Sequence, residues 1–167
     1  MRHGRSVPAA TLPPEKWVLD PAGHAEIDKL GRSGRIPLGA DWFTSPETKA
    51  LETARRLTDL PVAVVDDLSE HRRGVHWFDS PEQFRAAVRR AFDVPHEPAV
   101  PTWEPLALTQ ERVVVAVRRI LSERAGDVVL VGHGTAWTML VAALTGRPAD
   151  LDAWERLRMP DLWVLDT

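Results

Sequence analysis

Apolar positions recur along the chain in two patterns, short β-prone runs and longer stretches with a helical period. The runs at 61–65 and 127–131 are continuous, which is typical of strands buried on both faces of a parallel sheet. The pattern predicts two further strands, at 40–43 and 162–165. Helical stretches separate these strands, so the strands are expected to be joined by crossover connections.

Helices are predicted where an apolar face coincides with residues that start or stop a helix. Ser45-Pro46 and Ser80-Pro81 each supply an N-cap and a proline at the first helical position, and Gly146 ends the last helix. The predicted helices cover residues 23–31, 46–58, 81–92, 109–125 and 135–144. Between the third and the fourth, prolines spread over residues 95–105 predict a loop.

Alternating strands and helices imply an α/β fold, a three-layer α/β/α sandwich around a mainly parallel sheet. The length of 167 residues suits a single domain, residues 1–167, with a sizeable core. In such sheets ligands bind at the carboxyl ends of the strands, where loops lead into helix N-termini. That edge is where functional residues are expected.

Composition narrows the partners that the protein can have. A net charge of −3 gives no basic field, so nucleic acid is not an expected partner. The absence of cysteine excludes disulfides and thiolate metal sites. No apolar run approaches membrane-spanning length, and no signal-peptide region opens the chain. We therefore expect a cytoplasmic protein without a membrane partner; the pattern predicts no oligomeric state.

Two histidines flanked by glycine carry the strongest chemical signal. His3 precedes Gly4 near the start of the chain, and His133 lies between Gly132 and Gly134 after the second apolar run. Imidazole can act as a nucleophile, and glycine lets a phosphate or a second backbone approach closely. The backbone N–H groups at the start of the helix after His133, including that of Gly134, suit a phosphate. The two histidines are expected to converge on an anionic pocket.

Five short segments in this order resemble the histidine phosphatase superfamily, the phosphoglycerate mutase-like proteins. The segments are Arg2-His3-Gly4-Arg5-Ser6, residues 19–25, Thr44-Ser45-Pro46 with the residues up to Ala54, Leu68-Ser69-Glu70 with the residues up to Gly74, and Gly132-His133-Gly134. The resemblance implies that His3 is the nucleophile and forms a phosphohistidine, and that Arg2 and His133 bind the phosphoryl oxygens. It also implies that Glu70 is the general acid and base, with Asp66 and Asp67 as fallback acids.

The chain departs from the family pattern at two places. Lys49 stands where the family has a second phosphate-binding arginine, so the charge is kept and the bidentate fork is lost. Arg5 is expected to bind phosphate with Lys49, and Arg55, Arg72 and Arg73 are alternative sources of a guanidinium. Only Met1 precedes Arg2, whereas the family's first strand supplies several apolar residues before the arginine. Three explanations are open: the given chain is trimmed, its start is misassigned, or His3 lies on a frayed end.

The resemblance implies a metal-independent phosphomonoesterase that needs no cofactor, acts on small phosphorylated metabolites and releases inorganic phosphate. His71, His76 and His96 have no metal-ligand spacing and are expected to be loop or rim residues. The alternative is a catalytically weakened module of the same fold that binds a phosphorylated ligand or has a regulatory role. A phosphoglycerate mutase and a protein-phosphohistidine phosphatase are further alternatives.

Overall fold

A parallel β-sheet forms the centre of the protein in the computed structural model, which describes residues 1–74 and 76–166. The three strands are β1 (Asp41–Thr44), β2 (Val62–Val64) and β3 (Val128–Val131), in the order β2-β1-β3. β1 is parallel to both neighbours, with Trp42 opposite Val62 on one side and Val129 on the other. All three strands therefore end at the same edge of the sheet.

Helices cover both faces of the sheet. They are α1 (His24–Gly31), α2 (Thr48–Leu57), α3 (Pro81–Asp93), α4 (Leu106–Ser122), α5 (Gly134–Thr145) and α6 (Leu151–Glu155). Alternate side chains of β1 point to opposite faces, so Phe43 packs with α4 and α5 while Trp42 packs with α2. The expected three-layer α/β/α sandwich is confirmed.

The first three residues lie beside β3 and extend the sheet. Arg2 forms a parallel bridge with Gly132 and an antiparallel bridge with Asp161. The backbone N–H of His3 donates to the Gly132 carbonyl at 2.9 Å, and His3 is only 5% exposed. The explanation of a frayed end is wrong, because backbone hydrogen bonds on two sides hold this segment.

Close packing between Gly132 and Trp137 also helps to hold the first three residues in place. A Cβ atom at Gly132 would lie 2.4 Å from the Cζ2 atom of Trp137, so only glycine leaves room for the indole. The Trp137 indole N–H donates to the Met1 carbonyl at 2.6 Å. A residue near the start of α5 therefore helps to position the segment that carries Arg2 and His3.

Two of the predicted strands differ from the observed structure. Strand β2 is an edge strand and Val64 is 51% exposed, so burial on both faces, inferred from its continuous apolar run, is wrong. Residues 162–165 form no strand; their segment makes a single bridge, through Asp161. Residues of this segment and of β3 both line a groove of about 620 Å³.

Helix boundaries shift by a few residues, and one helix was not predicted. α2 begins at Thr48 rather than residue 46, because Glu47 has an extended backbone with ψ 133°. α4 begins at Leu106, directly after Pro105, and α6 carries too few apolar positions to be recognised. Within residues 1–74 and 76–166, no helix combines the length and apolarity needed to cross a membrane.

Candidate active site

The carboxyl edge of the sheet opens into a cleft of about 640 Å³. Its walls come from the ends of the strands and from the loops after β2 and before α1. The lining includes both sequence-predicted histidines and most of the predicted charged residues: Arg2, His3, Lys49, Glu70, Arg72, Arg73 and His133. Glu47, which was not predicted, also lines the cleft. The fold therefore brings together side chains that are more than a hundred residues apart in the sequence.

His3 and His133 face each other with ring centroids 5.3 Å apart. Nδ1 of His3 lies 2.6 Å from the Gly4 carbonyl oxygen, which can only accept, so Nδ1 carries the proton and Nε2 keeps its lone pair. Burial, together with His133 and Lys49, lowers the pKa of His3 well below its ordinary value. A neutral imidazole with a free lone pair is the form that can attack phosphorus.

Gly4 lets the first segment pack closely beneath His3. A Cβ atom there would lie 2.4 Å from Cδ1 of Ile27, which is a clash. The Gly4 N–H donates to Thr53 Oγ1 at 3.0 Å, which ties the segment to α2. Gly4 therefore has a packing role, and it helps to fix the backbone that carries the His3 imidazole.

His133 is fully buried at the end of β3, directly before α5. Its Nε2 atom lies 2.6 Å from Ser45 Oγ and 3.3 Å from Glu47 Oε1. Burial lowers the pKa of His133 to about 3, so the ring is neutral at ordinary pH. Its Nδ1 atom is buried and makes no hydrogen bond to any residue that the structure describes.

These buried histidines should make the protein less stable in mild acid. The unfolded chain protonates His133 near pH 6.5, whereas the folded chain does so only near pH 3. Between these values the unfolded state binds more protons, so the free energy of unfolding falls as the pH falls. The loss is expected to reach about 1.4 kcal/mol per pH unit for each such histidine.

Denaturant unfolding from about pH 8 to about pH 5 measures this slope. His133→Asn should flatten it, and His96→Ala, at an exposed histidine, should leave it unchanged. An unaltered slope in His133→Asn would show that His133 is not a source of the pH dependence.

The carboxylate of Glu70 occupies the N-terminus of α5. It accepts from the backbone N–H groups of Thr135 at 3.1 Å and Ala136 at 2.9 Å, and from that of His71 at 2.9 Å. Burial alone would raise the pKa of Glu70, but the charge of Arg73 and these N–H groups lower it well below its ordinary range. Among the amides at the start of α5, those of Thr135 and Ala136 are thus already bound to Glu70, whereas that of Gly134 is not one of its donors.

The side chain of Arg2 lies beside Gly134. A Cβ atom at Gly134 would lie 3.4 Å from Nε of Arg2, which is an ordinary van der Waals distance. Nη1 of Arg2 donates to the Leu157 carbonyl at 3.1 Å, while its buried Nε atom makes no hydrogen bond within the described part of the chain. Gly134 therefore lies next to Arg2, but it does not itself line the cleft.

The structure separates the two other predicted phosphate ligands, Lys49 and Arg5. The Lys49 ammonium reaches the cleft but is bound by the Glu47 carboxylate and donates to the Pro14 carbonyl at 2.7 Å. Arg5 pairs with Asp20 at 2.9 Å on the surface and does not line the cleft. The prediction that Arg5 binds phosphate is therefore wrong, because its guanidinium pairs with Asp20 outside the cleft.

Arg73 was predicted only as one of several alternative sources of a second guanidinium. It lies 5.2 Å from the centroid of the Phe84 ring and 5.1 Å from that of Trp103, and its Nη2 atom donates to Thr135 Oγ1 at 2.7 Å. Its buried Nε atom has no hydrogen-bond partner among the described residues. The aromatic contacts could not be predicted, because they join the loop after Glu70 to α3 and to the proline-rich loop.

Glu47 and Ser45 were missed as site residues because the Ser-Pro pair was interpreted only as a helix start. The signal available in the sequence was a carboxylate two residues before Lys49, four residues after the carboxyl end of a predicted strand. Within residues 1–74 and 76–166, no group of three His, Cys, Asp or Glu side chains could hold a metal ion.

The fold and the site together define an α/β protein of the phosphoglycerate mutase-like class. The chain belongs to the histidine phosphatase superfamily (branch 1), whose family model matches residues 1–164. No curated protein matches the chain.

Solved structures of similar fold include several phosphatases. Bacillus stearothermophilus YhfR is 27% identical, with 89% of this chain and 79% of that chain covered and a TM-score of 0.69. A mycobacterial glucosyl-3-phosphoglycerate phosphatase complexed with VO3 is 24% identical, with 95% and 85% covered and a TM-score of 0.72. The alpha-ribazole phosphatase from Shigella flexneri is 19% identical, with 95% and 83% covered and a TM-score of 0.69.

Proposed function

We propose that the protein is a metal-independent phosphomonoesterase that acts on small phosphorylated metabolites through a phosphohistidine at His3. The observation that carries this proposal is the state of His3, a neutral imidazole with Nε2 unprotonated, buried beside Arg2 and His133. The Nε2 lone pair attacks phosphorus, and the ester P–O bond breaks with its electron pair on the leaving oxygen. Water then attacks the phosphohistidine, the P–N electrons return to Nε2, and inorganic phosphate is released.

Two half-buried arginines supply the charge for this reaction. Arg2 and Arg73 both line the cleft, and each keeps a buried Nε atom without a hydrogen-bond partner among the described residues. Guanidinium groups bind phosphoryl oxygens through parallel N–H donors, which stabilises charge that spreads in the transition state. We propose that Arg73 binds phosphate in place of the family's second arginine. His133 is proposed to be the third side chain that binds the phosphoryl oxygens.

Glu70 is proposed to move the proton in both steps. It protonates the leaving oxygen in the first step and regains a proton from the attacking water in the second. In the free protein the pKa of Glu70 is low, because Arg73 and backbone N–H groups outweigh burial. A bound phosphate dianion raises that pKa, since a nearby like charge disfavours the carboxylate form. Substrate binding thus prepares Glu70 to act as an acid.

The size of the cleft supports a small substrate. Its volume of about 640 Å³ lies within the range of pockets that bind metabolites and cofactors. Pro14, Trp17 and the residues between them form part of its wall, and we propose that they contact the leaving group of the ester.

Hydrolysis of a panel of phosphate monoesters without added metal tests the proposal. The panel contains p-nitrophenyl phosphate, sugar phosphates, nucleotides and a glycerol phosphate, with release of inorganic phosphate as the readout. We expect turnover that a chelator does not reduce, because His3 and the guanidinium groups replace a metal. Absence of turnover on every ester, or turnover that requires a metal, contradicts the proposal.

A matched pair of arginine variants tests the part played by Arg73. Arg73→Ala is expected to raise KM for every ester by about tenfold or more, because the lost contact is to the phosphoryl group that all of them share. Arg55→Ala removes an exposed guanidinium from α2 and should not change KM. Equal KM values for the two variants would place Arg73 outside the binding site.

A second candidate function is a binding module for a phosphorylated ligand, with little turnover. The specific observation in its favour is the depressed pKa of Glu70, whose carboxylate is held by Thr135 and Ala136 in the free protein. Thermal stabilisation by inorganic phosphate in a protein that hydrolyses none of the esters would support this candidate.

A further inference from the structure

Glu47 is a buried carboxylate inside the cleft that the proposed reaction does not use. Its Oε2 atom binds the Lys49 ammonium, and both side chains are 6% exposed. Its Oε1 atom accepts from the backbone N–H of Glu70 at 2.7 Å and lies 3.3 Å from Nε2 of His133. One carboxylate therefore contacts a cation, the loop of the proposed acid and the ring of the second histidine.

A carboxylate at this position opposes phosphate binding unless its charge is balanced. Like charges in a buried site repel strongly, and an unpaired buried carboxylate is itself costly. Lys49 provides the balance, and the Pro14 carbonyl accepts a further N–H of the same ammonium at 2.7 Å. With two of its three donors taken by the protein, Lys49 has little left for a ligand.

We propose that Glu47 is a positioning residue for Glu70 and His133, and that Lys49 acts by neutralising Glu47 rather than as a direct phosphate ligand. The inference rests on the proposed function in one respect, since it takes phosphate as the group bound in the cleft. It explains why a lysine suffices where the family has an arginine: a single point charge neutralises a carboxylate, and no bidentate fork is needed.

The two possible roles of Lys49 make opposite predictions for a double variant. If Lys49 binds phosphate directly, its loss weakens binding whether Glu47 is charged or neutral. If Lys49 neutralises Glu47, removing both charges leaves the net charge of the cleft as it was. Glu47→Gln combined with Lys49→Met is the decisive variant, because replacing a buried ion pair by neutral groups is often well tolerated.

Calorimetry with inorganic phosphate on the full chain is the measurement, and it does not depend on turnover. Lys49→Met is expected to raise the phosphate Kd by about 30-fold or more, because an uncompensated carboxylate then faces the anion. The double variant should return to within about fivefold of the wild-type Kd, since the repulsion is gone. A double variant as weak as Lys49→Met would overturn the inference.

The experiment remains decisive if Lys49→Met does not fold. The double variant has no unpaired buried charge, so its Kd can be compared directly with that of the wild type, and a loss of about 30-fold would overturn the inference. Arg56→Met serves as a control, because Arg56 lies on the same helix as Lys49 and forms an exposed ion pair with Asp28 of α1. Its phosphate Kd should equal that of the wild type.

The positioning role of Glu47 is tested by turnover. Glu47→Leu with Lys49→Met differs from the glutamine double variant chiefly in lacking an acceptor for the Glu70 N–H. We expect kcat for a glycerol phosphate to be lower by about tenfold in the leucine variant, with the phosphate Kd unchanged. Equal kcat values in the two double variants would contradict the positioning role. A wild type without turnover would instead refute the proposed reaction, while the phosphate measurements would still test the neutralisation.

Discussion

His3→Ala is expected to lower kcat by at least about 10⁴-fold on every phosphate ester, because no other neutral imidazole in the cleft can take over the attack. The nitrogen of His3 that attacks is the one left unprotonated by the contact between Nδ1 and Gly4. Two other histidines line the cleft: His133 is fully buried with its Nε2 atom against Ser45 Oγ, and the Nε2 atom of His71 lies 2.7 Å from the Glu104 carbonyl oxygen. Steady-state release of inorganic phosphate measures the loss.

Two controls separate loss of the nucleophile from loss of the fold. His96→Ala removes an exposed histidine outside the cleft and should keep the wild-type kcat. His3→Ala should still be stabilised thermally by inorganic phosphate, because Arg2 and Arg73 remain. Radiolabelled ester should leave an acid-labile phosphoryl adduct on the wild type and none on His3→Ala. An adduct of equal yield on both proteins would refute His3 as the nucleophile.

Glu70→Gln is expected to lower kcat/KM for a glycerol phosphate by about 10³-fold, within the usual effect of a general acid or base. The amide keeps the size of the side chain and an acceptor for the N–H groups of α5, but it cannot transfer the proton. For p-nitrophenyl phosphate the loss should be smaller, because its weakly basic leaving group departs without protonation. The ratio of the two losses is the measurement.

An exposed acid on the same loop supplies the control for Glu70. Asp67 lies in the short helical turn Asp66–Leu68 and does not line the cleft, so Asp67→Asn should leave both substrates unaffected. If Glu70→Gln lowered kcat/KM equally for both esters, the role of Glu70 would be structural or electrostatic, and Glu70 would not be the general acid. If Asp67→Asn were equally damaging, the fallback acids would need to be considered again.

Local signals in the sequence were sufficient to predict β3 and α5, the two elements on either side of His133. The apolar run of β3 and the glycine that ends α5 are both visible in the sequence, and Gly146 has the positive φ of 66° that such a helix end requires. The N-cap of α3 was equally predictable, since Ser80 accepts from the backbone N–H of Gln83. Short-range chemistry decides these features, so the sequence contains them.

Long-range packing decides the features that could not be predicted. An apolar run does not tell whether a strand is central or at an edge, and β2 lies at an edge. The pairing of Glu70 with the amides of α5 depends on how a loop folds across the strand ends. The stacking of Arg73 on Phe84 and Trp103 joins three distant segments. Each of these contacts forms only in the complete fold.

The hydrogen bonds of the first segment have a consequence for the order in which the protein is assembled. Its partners are Leu130, Gly132 and Asp161, which lie more than a hundred residues further along the chain, so the segment can complete its hydrogen bonds only once residue 161 is available. Contacts at such sequence separation carry a loop-closure cost, and folds that depend on them form slowly. We therefore expect the segment that carries the proposed nucleophile to take its place late in folding.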